Sequence, residues 1–228
     1  MVVLATKCYV EGEARERTLD SLESLLADDL GELDVTYDVG VRDDDFPSVT
    51  ISGDDATVAR NVLADRWGAI TPHLEAGDEY IGTLEAWDDE GFVLDAGRTV
   101  RIPTDSIGLG QGTPAQLRTR FGLVQHLPIR FVYEGDTDDG TAVGRLADAE
   151  RDRLFAWTRG EGRVTVNSAT RAEVRATVNR AGHAEDIVTV ERLGLLEQSI
   201  VCREETDPPG LLASIGQYLP SELLAIVP

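Results

Sequence analysis

The sequence predicts an α+β fold in three units. These are a β-α-β-β-α unit over residues 1–76, a small β-barrel over 77–146, and a linker helix with a β-α-β-β-α-β unit over 147–228. Three observations predict it. In the first and last thirds, apolar residues at three-and-four spacing alternate with short β-branched runs. The middle third switches to short strands punctuated by glycine and acidic turns, the pattern of a small barrel. A length of 228 residues exceeds one minimal domain and fits two or three.

Met1 to Val10 is a β-branched apolar run and predicts the first strand. Leu19, Leu22, Leu25, Leu26 and Leu30 then form the stripe of an amphipathic helix. Residues 35–39 and 47–51 alternate apolar and polar on either side of the acidic turn Asp43-Asp44-Asp45. Gly53-Asp54-Asp55 ends the second of these strands and caps a helix expected to bury Val58, Val62 and Leu63. A last strand is expected near Ala69–Leu74. This order suits a ferredoxin-like half-open sandwich.

Barrel strands are expected at 80–86, 91–95, 99–102, 129–133 and 141–146. One helix interrupts them: Thr113 is placed to cap it, and Pro114 suits its first position, where no N–H is needed. Asp148 to Trp157 reads as a charged connecting helix. Beyond it come a strand at 163–166, a helix at 170–180 with Val174 and Val178 inward, and a hairpin of 187–193 with 195–203 around Gly194. Asp207-Pro208-Pro209 opens a final helix through Leu211, Leu212 and Ile215, and 223–227 closes a second ferredoxin-like sheet.

The chain carries 42 acids against 21 cations, a net −21, and the one lysine among those cations is Lys7. Such a composition resembles proteins of salt-accumulating archaea, in which hydrated carboxylates keep the surface soluble. Most acidic clusters are therefore read as solvation. Two stretches nevertheless turn basic. Residues 91–133 hold five arginines against Asp95 and Asp105, and residues 145–180 hold eight arginines against five acids. At molar ionic strength the Debye length is only about 3 Å, so arginine must act by contact, through bidentate phosphate hydrogen bonds and stacking.

Catalysis finds little support. His73, His126 and His183 are isolated, neither Cys8 nor Cys202 has a ligand-spaced neighbour, and no nucleophile elbow occurs. No catalytic residue, metal ligand or cofactor site is expected. The two cysteines read as buried thiols of a reducing cytoplasm. No signal peptide or membrane-length apolar run is visible. The loop Gly108-Leu109-Gly110-Gln111-Gly112 lacks the Lys-Ser/Thr of a P-loop, and its ability to hold a phosphate stays open.

The middle unit resembles an S1-type RNA-binding barrel of the OB class. The resemblance rests on Gly82, the run Gly91-Phe92-Val93-Leu94-Asp95, Gly97, and the stretch from Ile102 to Ile107. It implies Phe92 as a base-stacking platform with Arg98 and Arg101 near phosphates. Pro103 stands where that family commonly has a histidine, and the insertion at 108–122 also departs from its pattern. The run from Arg118 through Arg120 and Phe121 to Arg130 is the densest in non-acidic polar and aromatic groups, and reads as the main contact surface. Arg118 and Arg120, two apart, cannot share one helical face, so at least one is expected to be exposed.

The whole chain resembles an archaeal family catalogued as domain of unknown function two thousand one hundred and ten. The carriers are Asp43-Asp44-Asp45-Phe46-Pro47-Ser48-Val49, Arg120-Phe121-Gly122-Leu123-Val124-Gln125 and Asp207-Pro208-Pro209-Gly210. That resemblance implies a role in archaeal information processing but no catalytic residues. The functional expectation is a non-catalytic RNA-binding adaptor of the ribosome or transcription machinery in the cytoplasm, with no membrane association. The alternative is a protein–protein scaffold or homo-oligomer without nucleic acid, using open sheet edges.

Overall fold

In the computed structural model, which describes residues 1–228, two open antiparallel sheets flank one closed barrel. The first unit runs β1 (Val2–Val3), α1 (Gly12–Leu30), β2 (Thr36–Val41), β3 (Pro47–Ser52) and α2 (Ala56–Trp67), with sheet order β1-β3-β2. The apolar run at the N-terminus contributes only two ladder residues. Beyond an isolated bridge from Leu4 to Ala69, residues 5–10 leave the sheet, and Thr6, Lys7 and Tyr9 among them reach the other units. That bridge is also all that forms of the strand expected at 69–74. Leu22, Leu26 and Leu30 face inward from α1, as their spacing requires. Helix α2 buries Ala59, Leu63 and Trp67, a stripe at four-residue intervals, which leaves Val58 exposed rather than in the core.

The barrel comprises β4 (Glu79–Asp88), β5 (Gly91–Asp95), β6 (Thr99–Pro103), β7 (Pro128–Asp136) and β8 (Ala142–Leu146), closed in the order β4-β5-β6-β8-β7. All its pairings are antiparallel except β6 with β8. Two helices interrupt it, the unanticipated turn α3 (Thr104–Ile107) and α4 (Pro114–Arg120). The Thr113 hydroxyl accepts from the Gln116 backbone N–H while the Gln116 side chain accepts from that of Thr113, so the α4 terminus is sealed by its own residues. Helix α5 (Asp148–Trp157), expected as a linker, buries Leu154 and Trp157 in the barrel's core.

The last unit runs β9 (Arg163–Val166), α6 (Arg171–Arg180), β10 (Ile187–Arg192), β11 (Gln198–Cys202), α7 (Pro208–Gly216) and β12 (Leu223–Ile226), with sheet order β10-β11-β9-β12, antiparallel throughout. The β10–β11 connection is longer than a turn around Gly194. Leu195 and Leu196 leave the ladder and enter the apolar core of the first unit. Ile226 likewise joins the barrel core. Close approach there requires Gly122, at φ +65°: a Cβ would lie 2.6 Å from the Ile226 side chain, and the Gly122 carbonyl accepts from Thr165 Oγ1 at 2.7 Å. The three units are thus joined by shared cores. No helix is long and apolar enough to cross a membrane.

Candidate functional site

The residues expected to contact RNA do not form an open cationic surface with exposed rings. Alternation along β5 turns Phe92 into the barrel interior, and Phe121 is buried against Phe155, edge to face at 5.4 Å. Neither ring can stack on a base. Arg98 pairs with Asp136 at 2.8 Å, and Arg101 forks onto both carboxylate oxygens of Asp88 with Glu90 3.6 Å away. Arg118 is buried, lies 3.9 Å over the Trp87 ring and pairs with Glu222. Arg130 pairs with Glu79 at 3.4 Å. Arg120 is exposed without a carboxylate partner and donates to the Gln111 carbonyl at 3.0 Å. The outer strands of the barrel therefore carry arginine whose charge is already matched. The glycine loop packs against the Arg151 side chain at Gly108 and leads into the sealed terminus of α4.

Positive charge gathers instead where the three units meet. A cleft of about 330 Å³ is lined by Arg66 from α2, Arg130 from β7, Arg153 from α5 and Arg192 from the end of β10. Its walls are Thr6 and Trp67 on one side and the hairpin tip at Leu193-Gly194 on the other. Three of these guanidinium groups have partners: Arg66 with Asp29 at 2.5 Å, Arg130 with Glu79, and Arg153 with the buried Glu150 at 2.5 Å. Arg192 makes no ion pair. Burial depresses its pKa, and the Arg171 and Arg66 charges push it the same way, against the Asp29 carboxylate that pairs with Arg66. Arg171, outside the lining, donates to the Val190 carbonyl at 2.6 Å and also has no carboxylate partner. Half-buried guanidinium charge with no carboxylate in contact is costly to hold, and an anion bound in the cleft would offset that cost.

A polar network lies beside the cleft and fixes the docking. Lys7 reaches Asp95 at 2.8 Å and Glu85 at 3.1 Å. Burial alone would raise the Glu85 pKa, but hydrogen bonds from His126 and Thr83, with the charges of His126 and Lys7, hold it down at about 2. The His126 ring stacks on Tyr9 with centroids 4.0 Å apart. Tyr9 donates to Glu197 at 2.8 Å and accepts from the Ser168 N–H. Glu197 is fully buried, and its second carboxylate oxygen, Oε2, has no partner. Burial pushes its pKa up to about 8, so the group is held as a neutral acid near pH 7, with the Tyr9 hydrogen bond pulling the other way.

Of the cleft's arginines, only Arg130 stood among the residues singled out from sequence. Arg153 lies in the second basic stretch, the signal the sequence offers for it. Arg66 and Arg192 stand in ordinary charged contexts, next to Asp65 and Glu191 respectively. No group of His, Cys, Asp and Glu side chains is arranged to hold a metal ion, and both cysteines are free and buried.

A closed barrel docked between two open sheets, with an arginine-lined cleft at the junction, defines a protein of mixed α+β class. The chain belongs to the DUF2110 family: residues 1–73 match its N-terminal domain, 74–158 its central domain and 161–227 its C-terminal domain. No curated protein matches it in sequence. Among solved structures, one of a provisionally assigned exosome-complex RNA-binding protein aligns with 12% identity over 64% of this chain and 82% of that one. Its TM-score is 0.26, a level that does not establish a shared fold.

Proposed function

We propose that the protein is a non-catalytic RNA-binding adaptor, an OB-type barrel between two ferredoxin-like units, which grips RNA phosphate at the three-unit junction. The barrel reading is supported by its strand order, its one parallel pairing and a helix between its third and fourth strands. The ferredoxin-like reading is supported by the antiparallel order β10-β11-β9-β12 in a β-α-β-β-α-β unit. The single observation that carries the function is the convergence of Arg66, Arg130, Arg153 and Arg192 on one cleft of a chain with net charge −21.

The experiment is titration of short single-stranded RNA across a range of KCl concentrations. The R153A/R192A variant is expected to bind weakly, with a slope of log K against log salt shallower by about 0.7 per lost phosphate contact. R98A/R101A, whose arginines lie outside the cleft and pair with Asp136 and Asp88, is expected to bind like the wild type. Equal affinity in the wild type and R153A/R192A would refute the reading.

A further inference from the structure

We infer that the cleft is a site for a phosphomonoester dianion, the group carried at a phosphorylated RNA end, rather than for an internal phosphodiester. The inference rests on the reading of this cleft as an RNA contact and adds which part of the RNA enters it. Charge is the first argument. Arg66, Arg130 and Arg153 each have a carboxylate partner, whereas Arg192 and its neighbour Arg171 have none. With four guanidinium groups on the lining and Arg192 unmatched among them, a phosphomonoester, at about −2 near neutral pH, is held better than a singly charged diester. Its three terminal oxygens also suit forked N–H donors on several sides.

Shape is the second argument. The cleft holds about 330 Å³, room for a phosphate with its sugar rather than for a strand passing through. The adjoining groove, of about 200 Å³, shares Ile81 and Arg130 with the cleft but is lined by Asp65 and Glu79. Glu79 is paired with Arg130, but Asp65 has no cationic partner and disfavours a continuing backbone in that direction, which favours a polyanion that ends in the cleft. Trp67 forms part of the wall, and Gly194 gives the facing side a backbone surface without a side chain.

The test compares single-stranded RNAs identical in sequence that carry a 5′-phosphate, a 3′-phosphate or only hydroxyl ends, by fluorescence anisotropy with the full chain. Adenosine 5′-monophosphate and inorganic phosphate are added in parallel as free phosphomonoester and free ion, read by thermal shift. A phosphorylated end is expected to bind about tenfold tighter or more, the scale of one charge-assisted pair. The preference should vanish in R192A and partly return in R192K, which keeps the charge but loses the fork. RNA binding that ignores the end group, and that R192A weakens equally for all three RNAs, would overturn the inference while leaving the RNA reading in place. Shifts by adenosine monophosphate or phosphate that R192A abolishes, with no RNA bound, would uphold the phosphomonoester site and sink the RNA reading. No response to any probe would overturn both.

Discussion

Replacing Glu197 with glutamine should flatten the dependence of stability on pH. The carboxyl is fully buried at the junction, takes one hydrogen bond from Tyr9 and leaves Oε2 without a partner beside Gly194. Its folded-state pKa of about 8 lies above the ordinary 4.5, so the folded state binds the extra proton. The stabilisation from that proton is complete below the unfolded pKa and is lost as pH rises through about 8. Between about pH 5 and about pH 8.5 the one-proton slope approaches 1.4 kcal/mol per pH unit and sums to an upper limit of roughly 4 kcal/mol. Relaxation and water entry around a buried charge reduce it, so about 2 kcal/mol is the expected loss. Glutamine has nearly the same shape, still accepts from Tyr9 and does not ionise. Urea midpoints in KCl across this range should therefore fall with pH in the wild type, and E197Q should lack that component and exceed the wild type above about pH 8. A pH slope in E197Q equal to that of the wild type would refute the argument.

Glu85 behaves in the opposite sense. Its pKa of about 2 lies below the ordinary value, so its contribution is present above about 4.5 and fades as pH falls toward 2; H126N should shift that acid limb upward in an acid titration of stability. Lys7→Met should destabilise by about 3 kcal/mol in urea melts, because Glu85 and Asp95 lose their buried partner. Gly122→Ala forces a side chain onto Ile226 from a positive φ and should cost about 1–3 kcal/mol, while Gly140→Ala, in open space at φ +84°, should cost less. Leu195→Ala should cost about 2–5 kcal/mol, and protease should then cut preferentially between the first and last units.

What was legible in the sequence was whatever depends on neighbours along the chain. Thr113 with Pro114 announced a capped helix because every partner in that motif lies within one turn. The leucines of α1 announced its buried face for the same reason. Failures fall where distant segments decide. Val58 had the same hydrophobicity as a core residue, but the sheet packs against the Ala59-Leu63-Trp67 stripe. Leu195 looked like a strand start and instead fills a gap in another unit. Phe92 fitted a stacking motif, yet the closed barrel takes its ring as core. Arg98 and Arg101 looked free because Asp136 and Asp88 are 38 and 13 residues away. The cleft itself joins residues 66, 130, 153 and 192, which only the docking of three units brings together.

The plug that Leu195 and Leu196 drive into the N-terminal core has a consequence for synthesis. When α2 leaves the ribosome, the unit it belongs to still shows an unfilled greasy socket, and well over roughly a hundred codons remain before the plug is made. At about 5–20 residues per second the vacancy lasts on the order of ten seconds. During that interval the nascent chain presents an apolar opening to any passing chaperone, and a truncated product would carry it permanently.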